Sequence, residues 1–449
     1  RTEGTSRMVS AWATGNYTWN DIYLADFSVR FDGSSDFGSK QRWAPFFSGG
    51  LGVNIHNYEF LKGNEMVNKL KVRASYGRTG KASFPAYAAT TMYEALFDEW
   101  YATGFGAVLK ALGNNNLTWE KTDKFNVGIE MQFLNRRLTV DADYYHDKTI
   151  DLVNDVSLSQ TSGFSSYKDN MGEVLNQGFE LQVRGEVFRN RDWLVALWGN
   201  MAHNKNKILK ISDSQRAYNQ RVKEFYENIV NEEYGRYNSK YGVPISQYEE
   251  GQSLTSIWAV KSLGIDPTTG KEIFLNRDGS VSDTWNATQE VAVGNTEPKF
   301  NGSIGFNAAY KQWSLFAAFQ YEWGGQEYNQ TLVDRVENAR IQYQNVDLRV
   351  LTDRWKQPGD IAQFKDIKNA DSATMPTSRF VQDKAYLRLS ALTLSYDFNR
   401  EWIKKYLGMN MLRLEASTRD FINWNSIRQE RGLSYPKSWT VDFSIKAQF

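Results

Sequence analysis

Four carboxylates, Asp141, Asp143, Glu180 and Glu186, are the first residues whose types could support acid–base chemistry. A pair of such groups facing each other across a cleft can protonate and attack a glycosidic bond. Here each sits in a regularly alternating stretch crowded with other charges, which points to one polar face of a sheet instead. Asn276-Arg277-Asp278-Gly279-Ser280 followed by Asp283 resembles a calcium loop. It lacks the glycine at the sixth position and the bidentate glutamate at the twelfth, so Asp278-Gly279 is expected to make a hairpin turn. His56, His146 and His203 are far apart, and the chain has no cysteine. Neither metal-ligand spacing nor a disulfide framework is present. With no nucleophile elbow, phosphate loop or triad spacing, the expectation is a protein that is not an enzyme: no catalytic residue, no metal, no cofactor.

Aromatic residues are the other chemistry-bearing group. Phe, Trp and Tyr make up 14% of the chain, including 15 Trp and 24 Tyr, against a mean hydropathy of −0.57. Aromatic faces pack on sugar rings or on apolar peptide side chains. Trp100, Tyr101, Trp258, Tyr328 and Trp424 lie in connections and are the candidate ligand-binding residues. A second set, Trp43, Tyr144, Trp193, Tyr310, Trp313, Tyr396 and Trp439, lies near strand ends. There an amphipathic ring fits a boundary between lipid and water.

The elements that position these residues are strands. The last is the plainest: Trp439, Val441, Phe443, Ile445, Ala447 and Phe449 share one face, and Thr440, Asp442, Ser444, Lys446 and Gln448 the other. Period-two alternation of this kind marks a strand with two different faces. It recurs over 8–18, 21–31, 43–56, 68–77, 118–134, 137–151, 173–189, 192–204, 252–265, 297–310, 312–325, 380–398 and 409–421. The total is about 13 to 15 strands. Near Ser390 the apolar phase flips from Leu387 and Leu389 to Leu392 and Leu394, as a β-bulge would require. Short turns at 135–136, 190–191 and 311–312 alternate with long connections at 78–117, 205–251 and 326–379, and 214–234 and 332–350 read as polar helices carried on loops. The longest apolar run, Leu315 to Phe319, is five residues. No helix of roughly 20 apolar residues is available to cross a membrane. Strands that hold alternation for about 10 residues, with tight turns at one rim and long loops at the other, fit a transmembrane barrel. Charges on the inner face are tolerable in a wet lumen and costly in a dry sandwich core. A passive porin of about 14 strands and a soluble carbohydrate-binding β protein share much of this pattern.

Lys plus Arg number 53 and Asp plus Glu 52. That balance offers no concentrated basic face, so no nucleic-acid partner is expected. Arg1-Thr2-Glu3-Gly4 has none of the regions of a signal peptide, and the sequence is expected to start inside a longer chain.

Nine segments, in order, carry a more specific resemblance. They are VRFDGSSDFGSKQRWAPFF (29–47), KLKVRASYGRTG (69–80), LTWEKTDKFNVGIE (117–130), DYYHDKTIDLV (143–153), NMGEVLNQGFEL (170–181), LGIDPTTGKEIF (263–274), GNTEPKFNGSIGFNAAYKQWSL (294–315), RFVQDKAYLRLSALTLSYDF (379–398) and YPKSWTVDFSIKAQF (435–449). Together they resemble SusC/RagA-type TonB-dependent outer-membrane transporters. One departure is Ala44-Pro45-Phe46, where the family has Phe-Pro after the Arg-Trp pair. The resemblance implies an all-β fold in the bacterial outer membrane, a transmembrane antiparallel β-barrel of 22 strands closed around a plug. Residues 1–449 would then be its C-terminal portion, with the plug domain and early strands absent from this chain. Implied partners are a SusD-like surface lipoprotein, the TonB complex acting through the missing N-terminal region, the protein's own plug and barrel segment, outer-membrane lipid, and an oligosaccharide or oligopeptide cargo. Val441, Phe443, Ile445 and Phe449 are the expected barrel-assembly signal.

Overall fold

The computed structural model describes residues 6–37, 42–81, 89–101, 104–111, 113–114, 117–157, 166–170, 172–231, 242–339, 341, 346–369, 374–398, 400–428 and 439–449. One antiparallel sheet of 14 strands forms a wall. Its strands are β1 (Met8–Trp19), β2 (Tyr23–Ser34), β3 (Trp43–Asn54), β4 (Val67–Lys81), β5 (Glu120–Phe133), β6 (Leu138–Ile150), β7 (Glu173–Arg189), β8 (Trp193–Lys210), β9 (Phe300–Tyr310), β10 (Trp313–Tyr328), β11 (Val381–Asp397), β12 (Met411–Thr418), β13 (Asn423–Asn425) and β14 (Val441–Gln448). The order is a meander from β1 to β12 and then β14, with β13 paired to the upper part of β11. Among the described residues β1 pairs only with β2 and β14 only with β12, so the sheet is open.

Turn chemistry sets the sense of the meander. Asn20 and Asp21 both have positive φ, 52° and 56°, the type I′ geometry that matches the twist of a hairpin. Leu134, Asn135 and Arg136 make the β5–β6 turn in the same left-handed region. These turns, with 190–192 and 311–312, lie on one rim. The described parts of the connections 82–119, 151–172, 211–299, 329–380 and 419–440 lie on the other. At the predicted bulge the β10–β11 register passes from Ala318↔Ala391 to Phe319↔Leu389, which leaves Ser390 unpaired. The Ser390 hydroxyl donates to the Ala318 carbonyl at 3.0 Å, satisfying an oxygen that the extra residue displaced from the ladder.

Two expectations need correction. The span 252–265 is not a wall strand. It is divided between the short strands Ser256–Ala259 and Lys261–Ile265, which pair within the loops. Nor is 332–350 one polar helix: a π-helical turn, Leu332–Glu337, and a single α turn, Arg349–Thr352, bury Leu332, Val333, Val336 and Val350. The helix expected at 214–234 is present as α1 (Asp213–Asn231). Ser212 and Gln215 cap it reciprocally: the Gln215 amide donates to Ser212 Oγ at 3.2 Å, and the Ser212 amide to Gln215 Oε1 at 3.1 Å.

The described parts of the long connections 211–299 and 329–380 fold together into a crown with its own core. Val222 and Tyr226 of α1 pack on Ala287 and Trp285, while Val333, Val336, Phe364 and Phe380 form a second cluster. Between them Arg379 is clamped by Glu272 at 2.9 Å and Glu337 at 2.6 Å, all three side chains buried. This links the two connections by charge as well as by packing.

Candidate functional site

Register shows which side chains share a face of the wall. Ile304 of β9 lies beside Gly199 and Phe319, and Phe443 of β14 beside Ala416. Val72, Ile129 and Ala142 continue the same apolar face across β4, β5 and β6. Val441, Phe443 and Ile445 are 55%, 81% and 72% exposed, so the oily side of the last strand faces away from any protein core. Phe449 is also exposed. Apolar side chains at this density stay outward only where another apolar phase covers them.

Both rims of that face carry aromatic pairs. At the tight-turn rim Trp19 stacks on Tyr23 at 5.5 Å, Trp193 lies 4.4 Å from Tyr310, and Trp313 lies 4.8 Å from Tyr396. At the loop rim Phe31 stacks on Trp43 at 5.3 Å and Phe421 meets Trp439 at 5.1 Å. Tyr144 is the exception: it lies halfway along β6, next to Val127 and Phe179. A single residue's place along a strand is hard to fix when the strand's ends are known only to within a few residues.

The opposite face is charged. Glu130 accepts Lys69 at 2.5 Å and lies 3.3 Å from Arg73, which reaches across to Asp143 at 2.6 Å. Arg73, Gly128 and Asp143 are aligned on three adjacent strands. A Cβ on Gly128 would fall 2.3 Å from the Asp143 carboxylate and 2.9 Å from the Arg73 guanidinium. The glycine is the saddle over which this ion pair crosses. Farther along, Arg413 grips Asp397 through two bonds of 2.6 Å, and Lys446 meets Glu415 at 2.9 Å.

Beside this network lies a cleft of about 580 Å³ lined by Asp141, Asp143, Glu180, Glu322, Asn301 and Tyr386, among others. Among the described residues no Lys or Arg lines it. The carboxylates that looked like catalytic pairs are therefore part of an acid-rich inner surface. Glu186 lies apart from them, near the tight-turn end of β7, where Arg189 pairs with it at 3.2 Å.

The predicted ligand aromatics are not brought together. Trp258 is 1% exposed in the crown strand Ser256–Ala259, and Tyr328 packs edge-on against Phe380 at 6.0 Å beside the second crown cluster. Trp258 is a core residue, and Tyr328 a partly buried one packed against the core. Trp424, on β13, is 59% exposed but pairs with Leu387, whose side chain is on the apolar outer face. Trp100 and Tyr101 end the strand Met92–Tyr101 of a loop-rim hairpin, their side chains outside those described. Sequence reasoning missed the clamp at Arg379 and the buried Glu290, whose partners are remote in the chain. Gln247 donates to Glu290, and burial pushes the Glu290 carboxyl up to about 8. The supposed calcium loop is a hairpin: Gly279 has φ +85° and Asp278 accepts the Ser280 amide at 2.9 Å.

A two-faced antiparallel wall with aromatic rims, tight turns at one end and a loop crown at the other defines a membrane β-barrel of the outer-membrane class. Residues 1–417 match the family described as TonB dependent receptor-like, beta-barrel, and the chain belongs to it, a barrel of the bacterial outer membrane. TonB-dependent receptor P3 of Formosa agariphila is 27% identical over 426 residues, covering 93% of this chain and 41% of that protein. TonB-dependent receptor SusC of Bacteroides thetaiotaomicron is 33% identical over 215 residues, 46% of this chain and 21% of that protein. The structure of the RagAB peptide importer in the open-open state superposes with a TM-score of 0.79 at 23% identity, covering 99% of this chain and 47% of that one. The chain thus spans less than half the length of these relatives.

Proposed function

We propose that residues 1–449 are the C-terminal portion of a 22-stranded barrel that imports a nutrient oligomer, an oligosaccharide or oligopeptide, across the outer membrane. In this reading an N-terminal plug and early strands complete the cylinder, TonB drives plug movement, and a SusD-like lipoprotein sits over the crown. The observation that supports it best is the inner face. Asp141, Glu180 and Glu322 line a cleft that has no basic side chain among the described residues, on a wall whose other face is apolar. Charges placed there need a wet or filled interior. The open edges of β1 and β14 support the missing segment, because unpaired strand edges in lipid cost several kcal/mol per backbone group. Among the aromatics, Trp100 and Tyr101 are retained as ligand contacts, and Val441, Phe443, Ile445 and Phe449 as the assembly signal. The decisive experiment deletes the gene and tests growth on single oligopeptides and glycans as sole nutrient, alongside conductance of the purified protein in planar bilayers. Selective growth loss with a non-conducting barrel is expected. Unchanged growth with steady ion conductance would mark a passive porin instead.

A further inference from the structure

Between β11 and β12, on the tight-turn rim, the chain forms the helix α2 (Arg400–Leu407), closed by Gly408 in the left-handed region with φ +68°. Its side chains divide sharply. Ile403 is fully buried, whereas Trp402 and Tyr406, one helical turn apart, are 48% and 63% exposed. Lys404 and Lys405 are also exposed, and Lys405 lies 5.2 Å from the Tyr406 ring.

These two rings are not isolated surface aromatics. Starting on the apolar face of the wall, Trp313 meets Tyr396 at 4.8 Å, Tyr396 meets Phe398 edge-on at 5.0 Å, Phe398 stacks on Trp402 at 6.1 Å, and Trp402 lies 5.7 Å from Tyr406. The tight-turn girdle therefore runs off the strands and onto the helix without a break. The polar, plug-facing surface is on the other side of the sheet. What covers Trp402 and Tyr406 must be continuous with what covers Trp313 and Tyr396.

We propose that α2 is an interfacial anchor lying in the phospholipid headgroup layer of the periplasmic leaflet. Trp402 and Tyr406 sit at the boundary where amphipathic rings are favoured, Ile403 pins the helix to the wall, and Lys404 and Lys405 meet lipid phosphates. Two turns of helix bind a membrane weakly alone. Tethered at both ends to adjacent strands, α2 has little orientational freedom left to lose.

The test places a nitroxide label at Trp402→Cys or Tyr406→Cys in the complete protein carrying no other cysteine. The variants are reconstituted in phosphatidylethanolamine–phosphatidylglycerol nanodiscs. Lys356→Cys, exposed in the crown at the opposite end of the wall, is the water-facing reference. Collision rates with oxygen, which partitions into lipid, are compared with those of a water-soluble nickel chelate, and heat-modifiable gel migration verifies folding. The oxygen-to-nickel ratio at 402 and 406 is expected to exceed that at 356 by several-fold. A ratio equal to that at 356 would put the helix in water. Low collision rates with both reagents would mean that protein covers it. Either result overturns the proposal. If Trp402→Cys does not fold, Tyr406→Cys carries the test alone.

Discussion

Placing an arginine at Ile304 tests the two-faced wall most directly. Strand β9 runs 11 residues from Phe300 at the loop end to Tyr310 in the tight-turn girdle. At about 3.4 Å per residue and a tilt of about 40°, this spans roughly 25 Å, the height of an apolar band. Ile304 is one residue from the midpoint, on the outer face between Gly199 and Phe319. An arginine at that depth costs about 2–4 kcal/mol, roughly a 30- to 700-fold loss in the folded-to-unfolded ratio. Ser303→Arg, one position away on the charged face and beside the acid-lined cleft, is expected to cost far less. Tyr310→Arg, at the girdle, falls in the range of about 0–1 kcal/mol. Reversible denaturant titrations of the complete protein in phospholipid vesicles, followed by tryptophan fluorescence and gel migration, give the three values. Equal costs at 303 and 304, or a larger one at 303, would refute the assignment of lipid to the Ile304 side.

Further expectations concern the crown, the inner face and the last strand. Arg379→Met removes the buried guanidinium that both Glu272 and Glu337 grip directly, at a cost of about 3–5 kcal/mol. Hydrogen exchange should accelerate in 256–295 and 329–380 while β1–β6 stay protected; uniform protection would contradict the clamp. Glu290 stays protonated in the folded crown up to about 8, whereas the unfolded chain releases that proton near the ordinary 4.5. The folded state therefore holds more protons between these values, and its contribution is full below 4.5 and lost as pH rises towards 8. The protection factors of α1, the intrinsic exchange rate at each pH divided by the observed one, should be higher at pH 5 than at pH 8, and Glu290→Gln should flatten the difference. Gly128→Val removes the saddle between Arg73 and Asp143. Its destabilisation should be largely absent in an Asp143→Ala background, which a double-mutant cycle measures. Phe449→Ala should slow insertion into the outer membrane, read as periplasmic accumulation in pulse-chase labelling; normal kinetics would remove Phe449 from the assembly signal.

The wall was legible because lipid on one side and charge on the other impose a two-residue period that few other environments sustain. Even the bulge at Ser390 shows as a phase flip between Leu389 and Leu392. The same period misplaced 252–265. Trp258, in a crown strand buried on both faces, reads from sequence like Trp198 on the wall. The stretch 332–350 misled for a related reason: its charged residues suggested a solvated helix, while Val333, Val336 and Val350 turn into a core built by residues 30 or more positions away, such as Phe380. The interior cleft was half readable. Alternation put Asp141, Asp143 and Glu180 on one face, but their meeting with Glu322 and Tyr386 depends on strand order over more than 200 residues.

Both connections that build the crown spring from four consecutive strands, β8 to β11, and its hydrophobic clusters and buried clamp are satisfied within it. Such a body is an insertion at two neighbouring hairpin tips. Beyond the backbone bonds that Gly251 and Gln252 make to Ile208 of β8, its sequence can drift, lengthen or be exchanged without disturbing the ladder beneath. Receptors with one inherited cylinder can in this way present quite different outer faces to the cell's surroundings.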